Sequence, residues 1–97
     1  GDLQWVYVDL QRIYSIYRIN LRWYDKAYAA CYRIQVSLDE DSWEDAYCTN
    51  SGNVGLDTIK LNIPVKAMYV RLCCMDNDNN REYSVIEFEV CGHLLKS

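Results

Sequence analysis

The 97-residue chain has one proline, one phenylalanine, one histidine and four glycines. It also lacks any apolar run near the roughly 20 residues that a membrane-crossing helix needs. Basic residues are in deficit, with ten Lys and Arg against fourteen Asp and Glu, for a net charge of −4. Nucleic acid is a poor partner for such a surface, because phosphates need a basic face. An anionic membrane held by charge alone is excluded for the same reason. With His93 the only imidazole, a Ser/His/Asp arrangement would have to use a residue past the last strand-like run. The carboxylates Glu87 and Glu89 alternate along one strand face, which reads as a solvated edge rather than an acid–base pair. No feature supports an independent enzyme.

The five cysteines include no C-x-x-C pair, and Cys91-Gly92-His93 lacks the spacing of a structural zinc site. An odd count leaves at least one thiol unpaired or paired outside the chain. Free, buried thiols are the expectation. The first residue is Gly, and no signal peptide opens the sequence, so it reads as a processed product, an excised domain or a fragment.

What the chain does have is period-two alternation. Val6, Val8 and Leu10 alternate with Trp5, Tyr7 and Asp9. The same pattern recurs around Ile19, Leu21 and Trp23, around Tyr32, Ile34 and Val36, and around Ile59, Leu61 and Ile63. It returns at Val70 and Leu72, and finally at Ile86, Phe88 and Val90. No stretch sustains a helical period. Six one-faced strands are predicted, separated by the turn-forming segments 39–42, 50–53 and 76–80. Pro64 is placed just after a strand, where its missing N–H breaks no ladder bond. One-faced strands bury their apolar sides most simply as two sheets packed face to face. The expected fold is therefore all-β, an antiparallel β-sandwich. Nine Tyr and three Trp give it an unusual supply of rings with a polar edge, suited to half-wet faces. Strand preference alone also favours such residues.

The order of motifs resembles the coagulation factor V/VIII type C, or discoidin-like, family. Trp5-Val6-Tyr7-Val8-Asp9-Leu10 is similar to the family's W-x-x-V-D-L strand. Leu21-Arg22-Trp23, Ala27-Tyr28-Ala29 and Tyr32-Arg33-Ile34-Gln35-Val36-Ser37 resemble L-R-W, A-Y-A and Y-x-I-Q-V-S. Asp41-Ser42-Trp43 sits at the D-G-x-x-W turn, with Glu40 in place of the turn glycine. Ala67-Met68-Tyr69-Val70-Arg71-Leu72 and Tyr83-Ser84-Val85-Ile86-Glu87-Phe88-Glu89-Val90-Cys91-Gly92 resemble A-R-Y-V-R-L and the closing Y-S-I-x-E-F-E-V-Y-G. The family's N-terminal strand and D-G-N loop have no counterpart before Trp5.

The resemblance implies a jelly-roll, galactose-binding-like domain over residues 1–92, with 93–97 as a tail or linker. It implies an extracellular or cell-surface location and a non-catalytic module that binds a glycan. The version here most resembles modules attached to glycoside hydrolases and polysaccharide lyases, so the catalytic domain of a parent chain is the implied partner. An adhesion or protein-interaction domain and a ligand-free spacer are the alternatives. The family also implies that Glu87 helps hold a structural calcium in the intact module.

Sugars bind with an apolar ring face on an aromatic and with hydroxyls on polar side chains. The segment 24–28 offers that mixture in Tyr24, Asp25 and Tyr28, directly after a strand. Asp25 would accept hydroxyl hydrogen bonds while Tyr24 or Tyr28 stacks. The alternative is that Asp25 caps a turn and that Tyr28, like Trp23, packs into the core. Asn77 and Asp78, in the Asn-rich turn, form the second candidate contact. That turn also carries Asp76, Asp78, Asn80 and Glu87 at EF-hand-like spacing, but Arg81 stands where the calcium loop needs glycine.

Overall fold

The computed structural model describes residues 4–24, 29–52, 55–75 and 83–95, with the backbone alone at Gln4 and Trp5. Five strands form in chain order: β1 (Gln4–Trp23), β2 (Tyr32–Ser37), β3 (Glu44–Thr49), β4 (Leu56–Cys74) and β5 (Val85–Leu94). All pairings are antiparallel, in the order β3-β2-β4-β1-β5, and the described residues contain no helix.

The hydrogen bonding makes one sheet, and the two long strands fold that sheet into a sandwich. Drawn straight, the 19 residues of β4 would span roughly 60 Å at about 3.3 Å per residue. The longest dimension of the molecule is only 44 Å. Moreover, Tyr32 on β2 is in register with Cys74 at one end of β4, while its hydroxyl lies 3.0 Å from Asp57 at the other end. The strand must therefore double back over itself. One layer contains β3, β2, positions 69–74 of β4 and 4–9 of β1; the other contains positions 56–67 of β4, 14–23 of β1 and β5.

The folding-over is localised at two irregularities. Between Asp9 and Tyr14 the register against β4 slips, and Gln11 takes a left-handed φ of 68°. Between Ile16 and Arg18 the register slips again, leaving positions 61–64 without partners on β1. Pro64 lies in that unpaired stretch. The reason expected for its position holds, although it falls inside a strand rather than after one. Such bulges bend a strand and add twist.

Inner faces follow the alternation except at Ile63, in the stretch unpaired on β1, and Ile86, at the register shift opposite Arg22 and Trp23, which were expected inward and are exposed. Ile19, Leu21 and Trp23 of β1, Tyr32, Ile34 and Val36 of β2, and Val70, Leu72 and Cys74 of β4 are all buried. Ile16 is also fully buried although three residues from Ile19, because the bulge between them resets the parity. Each such aliphatic side chain contributes about 1.5–3 kcal/mol by leaving water.

Two expectations are corrected here. β3 was not anticipated, because Glu44-Asp45-Ala46-Tyr47-Cys48-Thr49 is an edge strand without an apolar face. His93, expected in a tail, lies in β5, opposite Ser15 and with its ring 5.3 Å from that of Tyr17. None of the five cysteines is in a disulfide; Cys73 and Cys74 are buried, whereas Cys48 is exposed.

Candidate functional site

One end of the sandwich gathers the ends of β1 and β4 and the starts of β2 and β5. Backbone hydrogen bonds lace these ends together. Trp23 N–H donates to Gly55 O (2.8 Å), Tyr24 N–H to Ser84 O (2.9 Å) and Met75 N–H to Cys31 O (2.8 Å). The described residues that flank the two segments singled out in the sequence, Tyr24 and Met75, thus lie at the same pole, with Tyr24 bonded to Ser84.

Tyr24 is 57% exposed at this pole, whereas the adjacent Trp23 is 1% exposed and lies in the core. The alternation explains the difference. Trp23 has the inward parity of Ile19 and Leu21, and Tyr24 follows the last residue of β1. Asp25, Tyr28, Asn77 and Asp78 lie outside the described residues. Glu87 sits on β5 opposite Arg22, whose Nε is 3.6 Å from the Glu87 carboxylate; both side chains are exposed. A guanidinium at that distance competes with a cation for the carboxylate, so Glu87 does not by itself make a calcium site. No group of three metal-binding side chains occurs among the described residues.

Beneath the pole is a hollow of about 150 Å³ lined by residues that include Tyr32, Tyr47, Gly52 and Asp57. Asp57 is a charge on the inward parity of Ile59, and it is buried. Its Oδ2 accepts the Tyr32 hydroxyl at 3.0 Å. Burial, reinforced by the Asp57 charge, pushes the Tyr32 phenol well above the ordinary tyrosine value. The Tyr32 ring in turn packs against Trp23 (5.8 Å) and Tyr47 (6.0 Å). Gly52 closes the hollow where no larger residue fits: a Cβ there would lie 2.6 Å from Ala29 O. Aromatic rings, a carboxylate and tight loops here form a rigid base for whatever the rim holds. Sequence reasoning missed Asp57, whose signal was a carboxylate two residues before Ile59 in an otherwise one-faced strand.

Residues 1–88 match the F5/8 type C domain family. The chain belongs to that family. Among solved structures, this F5/8 type C domain is similar to chitosan-binding module 1 of a chitosanase/glucanase from Paenibacillus sp. IK-5. The two share 38% identity over 95% of this chain and 70% of the module, with a TM-score of 0.84. Module 2 of the same enzyme, solved in complex with chitotriose, is also 38% identical over 91% of this chain and 69% of its own, with a TM-score of 0.81. A Clostridium perfringens module, CpGH89CBM32-5, solved with GalNAc-β-1,3-galactose, has a TM-score of 0.78 over 92% of this chain and 66% of its own; at 22% identity it speaks for the fold alone. No curated protein sequence matches significantly. The expected jelly-roll, galactose-binding-like sandwich is the fold of this F5/8 type C domain, and its structural neighbours are carbohydrate-binding modules, some with oligosaccharide bound.

Proposed function

We propose that this F5/8 type C domain is a non-catalytic carbohydrate-binding module for a glucosamine-type, chitosan-like glycan, acting to hold a linked glycan-active enzyme at its polymer. The observation that carries the reading is the 38% identity, over nine-tenths of the chain, to chitosan-binding modules, one of them solved with chitotriose. Charge supports it: an amino-sugar polymer is cationic when protonated, and this chain carries −4. Tyr24 supports it too, as an exposed ring on a braced rim. On this reading Tyr24 and Tyr28 offer ring faces, and Asp25, Asn77 and Asp78 meet hydroxyl or ammonium groups. Single-site affinity belongs in the millimolar to micromolar range, about 4–8 kcal/mol. The module's effect comes from raising local concentration on a polymer. Secretion, and a catalytic domain in the same chain, belong to this proposal.

Calorimetry with chitotriose, neutral chitotriose analogues and galactosides tests it. Binding of the amino sugar that is lost in Tyr24→Ala, with an unchanged unfolding curve, is the expected result. No heat from any of these sugars would overturn it. The competing protein-interaction reading has one surface in its favour, the exposed group Ile13, Leu94 and Leu95, with Leu95 N–H bonded to Ile13 O (3.0 Å). It predicts that polar substitution there abolishes partner binding while sugar binding is absent.

A further inference from the structure

A second set of rings stands well away from the pole. It lies on the outer face of the layer made by β3, β2 and the paired parts of β4 and β1. Tyr7 and Tyr69 are near-parallel, with centroids 6.0 Å apart and planes 26° off. Trp43 meets the Tyr7 ring edge-on at 6.1 Å. Tyr7 has the parity opposite to Val6 and Val8, and Tyr69 the parity opposite to Val70 and Leu72, so these rings do not fill the core. Tyr7 is 46% exposed.

The rings are held in place. Trp43 Nε1–H donates to Glu40 O at 2.9 Å, and the Arg71 guanidinium lies 3.9 Å from the centre of the Trp43 ring. Arg71 Nε donates to Gln35 Oε1 (2.8 Å), and Gln35 Nε2 donates to Asp45 Oδ1 (2.9 Å). Burial and the neighbouring Glu40 carboxylate hold the Tyr7 and Tyr69 phenols above the ordinary tyrosine value. A braced ring costs little to order on binding, which favours a ligand platform over a floppy surface aromatic.

The charge around this face is one-sided. Asp9 follows Tyr7 on β1, and Asp39, Glu40, Asp41 and Asp45 run through the β2–β3 turn into β3. The cations that answer them are engaged: Arg71 on Trp43, and Arg33 with Asp45 at 3.6 Å. Lys66, beside Glu44, lies at the margin.

We infer that this outer face is a second glycan-contacting surface for a cationic amino-sugar chain, with a pyranose face on Tyr7 and ammonium groups among Asp9, Glu40 and Asp41. The inference rests on the glucosamine reading above and extends it to a separate place. Tyr69 is in register with Ser37, at the far end of β2 from Tyr32; five residues at about 3.3 Å separate the two ends by roughly 17 Å. A trisaccharide engages one surface at a time, whereas a polymer engages both and gains avidity.

The test compares chitotriose with soluble polymeric chitosan on the whole chain, reading the Trp43 indole N–H by NMR and affinity by retention. Polymer is expected to shift the Trp43 signal, and added salt to weaken that effect. Tyr7→Ala should lower polymer affinity about tenfold or more and remove chitotriose contact at this face only, leaving the Tyr24-dependent binding at the pole in place; Tyr7→Phe, which keeps the ring, should retain the polymer affinity. If Tyr7→Ala fails to fold, the Trp43 shift in the unaltered protein and the Tyr7→Phe result still decide. Polymer that binds and depends on Tyr24, with Trp43 unmoved and Tyr7→Ala neutral, overturns this inference alone. No binding of either sugar overturns the glucosamine reading with it. Self-association of the free protein that disappears in Tyr7→Ala would overturn it in favour of a second copy on this face.

Discussion

Replacing Tyr32 by Phe removes one oxygen and leaves the ring where it is. The ring is 1% exposed and packs between Trp23 and Tyr47, so no cavity opens and no apolar burial is lost. What disappears is the 3.0 Å bond to Asp57 Oδ2, which ties β2 to the start of β4 across the sandwich. A hydrogen bond to a charged group contributes about 1.5–3 kcal/mol net, and the other interactions of Asp57 keep its carboxylate from being stranded. The expected loss is therefore about 2 kcal/mol, equivalent to a fall of about 8–16 °C in Tm for a domain of this size. Urea unfolding checks it: the midpoint should drop with the slope unchanged. Asp57→Asn and the double variant complete a cycle whose coupling term should match the single loss within a fraction of a kcal/mol. A Tyr32→Phe change under about 0.5 kcal/mol, or no coupling, would show that the layers are not joined through this bond.

Gly92→Ala should destabilise by about 1–3 kcal/mol, because a Cβ there would lie 2.6 Å from the backbone oxygen of Ser15, which cannot swing away; a midpoint shift in urea measures it. Gln11→Gly should raise stability by about 0.5–1 kcal/mol, since Gln11 holds a φ of 68°, and left-handed strain of about 1–2 kcal/mol outweighs glycine's extra chain entropy. Glu40→Gly, at φ 70°, should gain less than Gln11→Gly, because the interaction of its carboxylate with the Tyr7 and Tyr69 phenols is lost with it. In that variant the Tyr7 phenol, pushed up to about 12 by desolvation and by Glu40, should titrate lower but stay above its ordinary value, since the desolvation remains; a phenolate absorbance titration reads this. Backbone N–H groups of Ser42 and Asp41, with the Ser37 hydroxyl, hold the Asp39 carboxyl below its ordinary 3.8. A lowered carboxyl stabilises the fold above its unfolded value and loses that contribution as pH falls through the folded one. Asp39→Asn should therefore flatten the acid limb of a stability-versus-pH curve.

Most of the fold was legible because parity is a local signal. Ile19, Leu21 and Trp23 face inward as their alternation requires, and so do Tyr32, Ile34 and Val36. What parity does not report is continuity. The breaks at Gln11 and Pro64 look like strand ends in the sequence, yet they are bulges within β1 and β4. β3 escaped because an edge strand needs no apolar face. At the pole, Tyr24 was legible as a ring after a strand end, whereas the Tyr32–Asp57 pair is 25 residues apart in sequence and joins only when β4 folds back. The turn glycine that Glu40 replaces was legible by resemblance, and the left-handed φ of 70° at Glu40 is its physical counterpart.

The same two long strands that hide their continuity also explain why the pole is firm. β1 ends at Trp23 and β4 ends at Cys74, and each carries its inner face deep into the core before it stops. The segments that follow them therefore start from backbone fixed by the best-packed part of the molecule, with the bonds from Trp23, Tyr24 and Met75 cross-tying the exits. A loop hung on such ends is free to vary in sequence without moving its anchors, which is how one sandwich serves different sugars. The outer ring face has the opposite character at Tyr7, Tyr69 and Arg71, since those positions alternate with inward-facing residues of β1 and β4 and change only at the expense of the strand. Specificity for a particular glycan should accordingly reside at the pole, and general hold on a charged polymer should reside on the face of Tyr7. Exchanging segment 24–28 for that of a galactoside-binding module should alter which trisaccharide binds and leave the salt-sensitive retention on polymeric chitosan in place; loss of both together would refute the division.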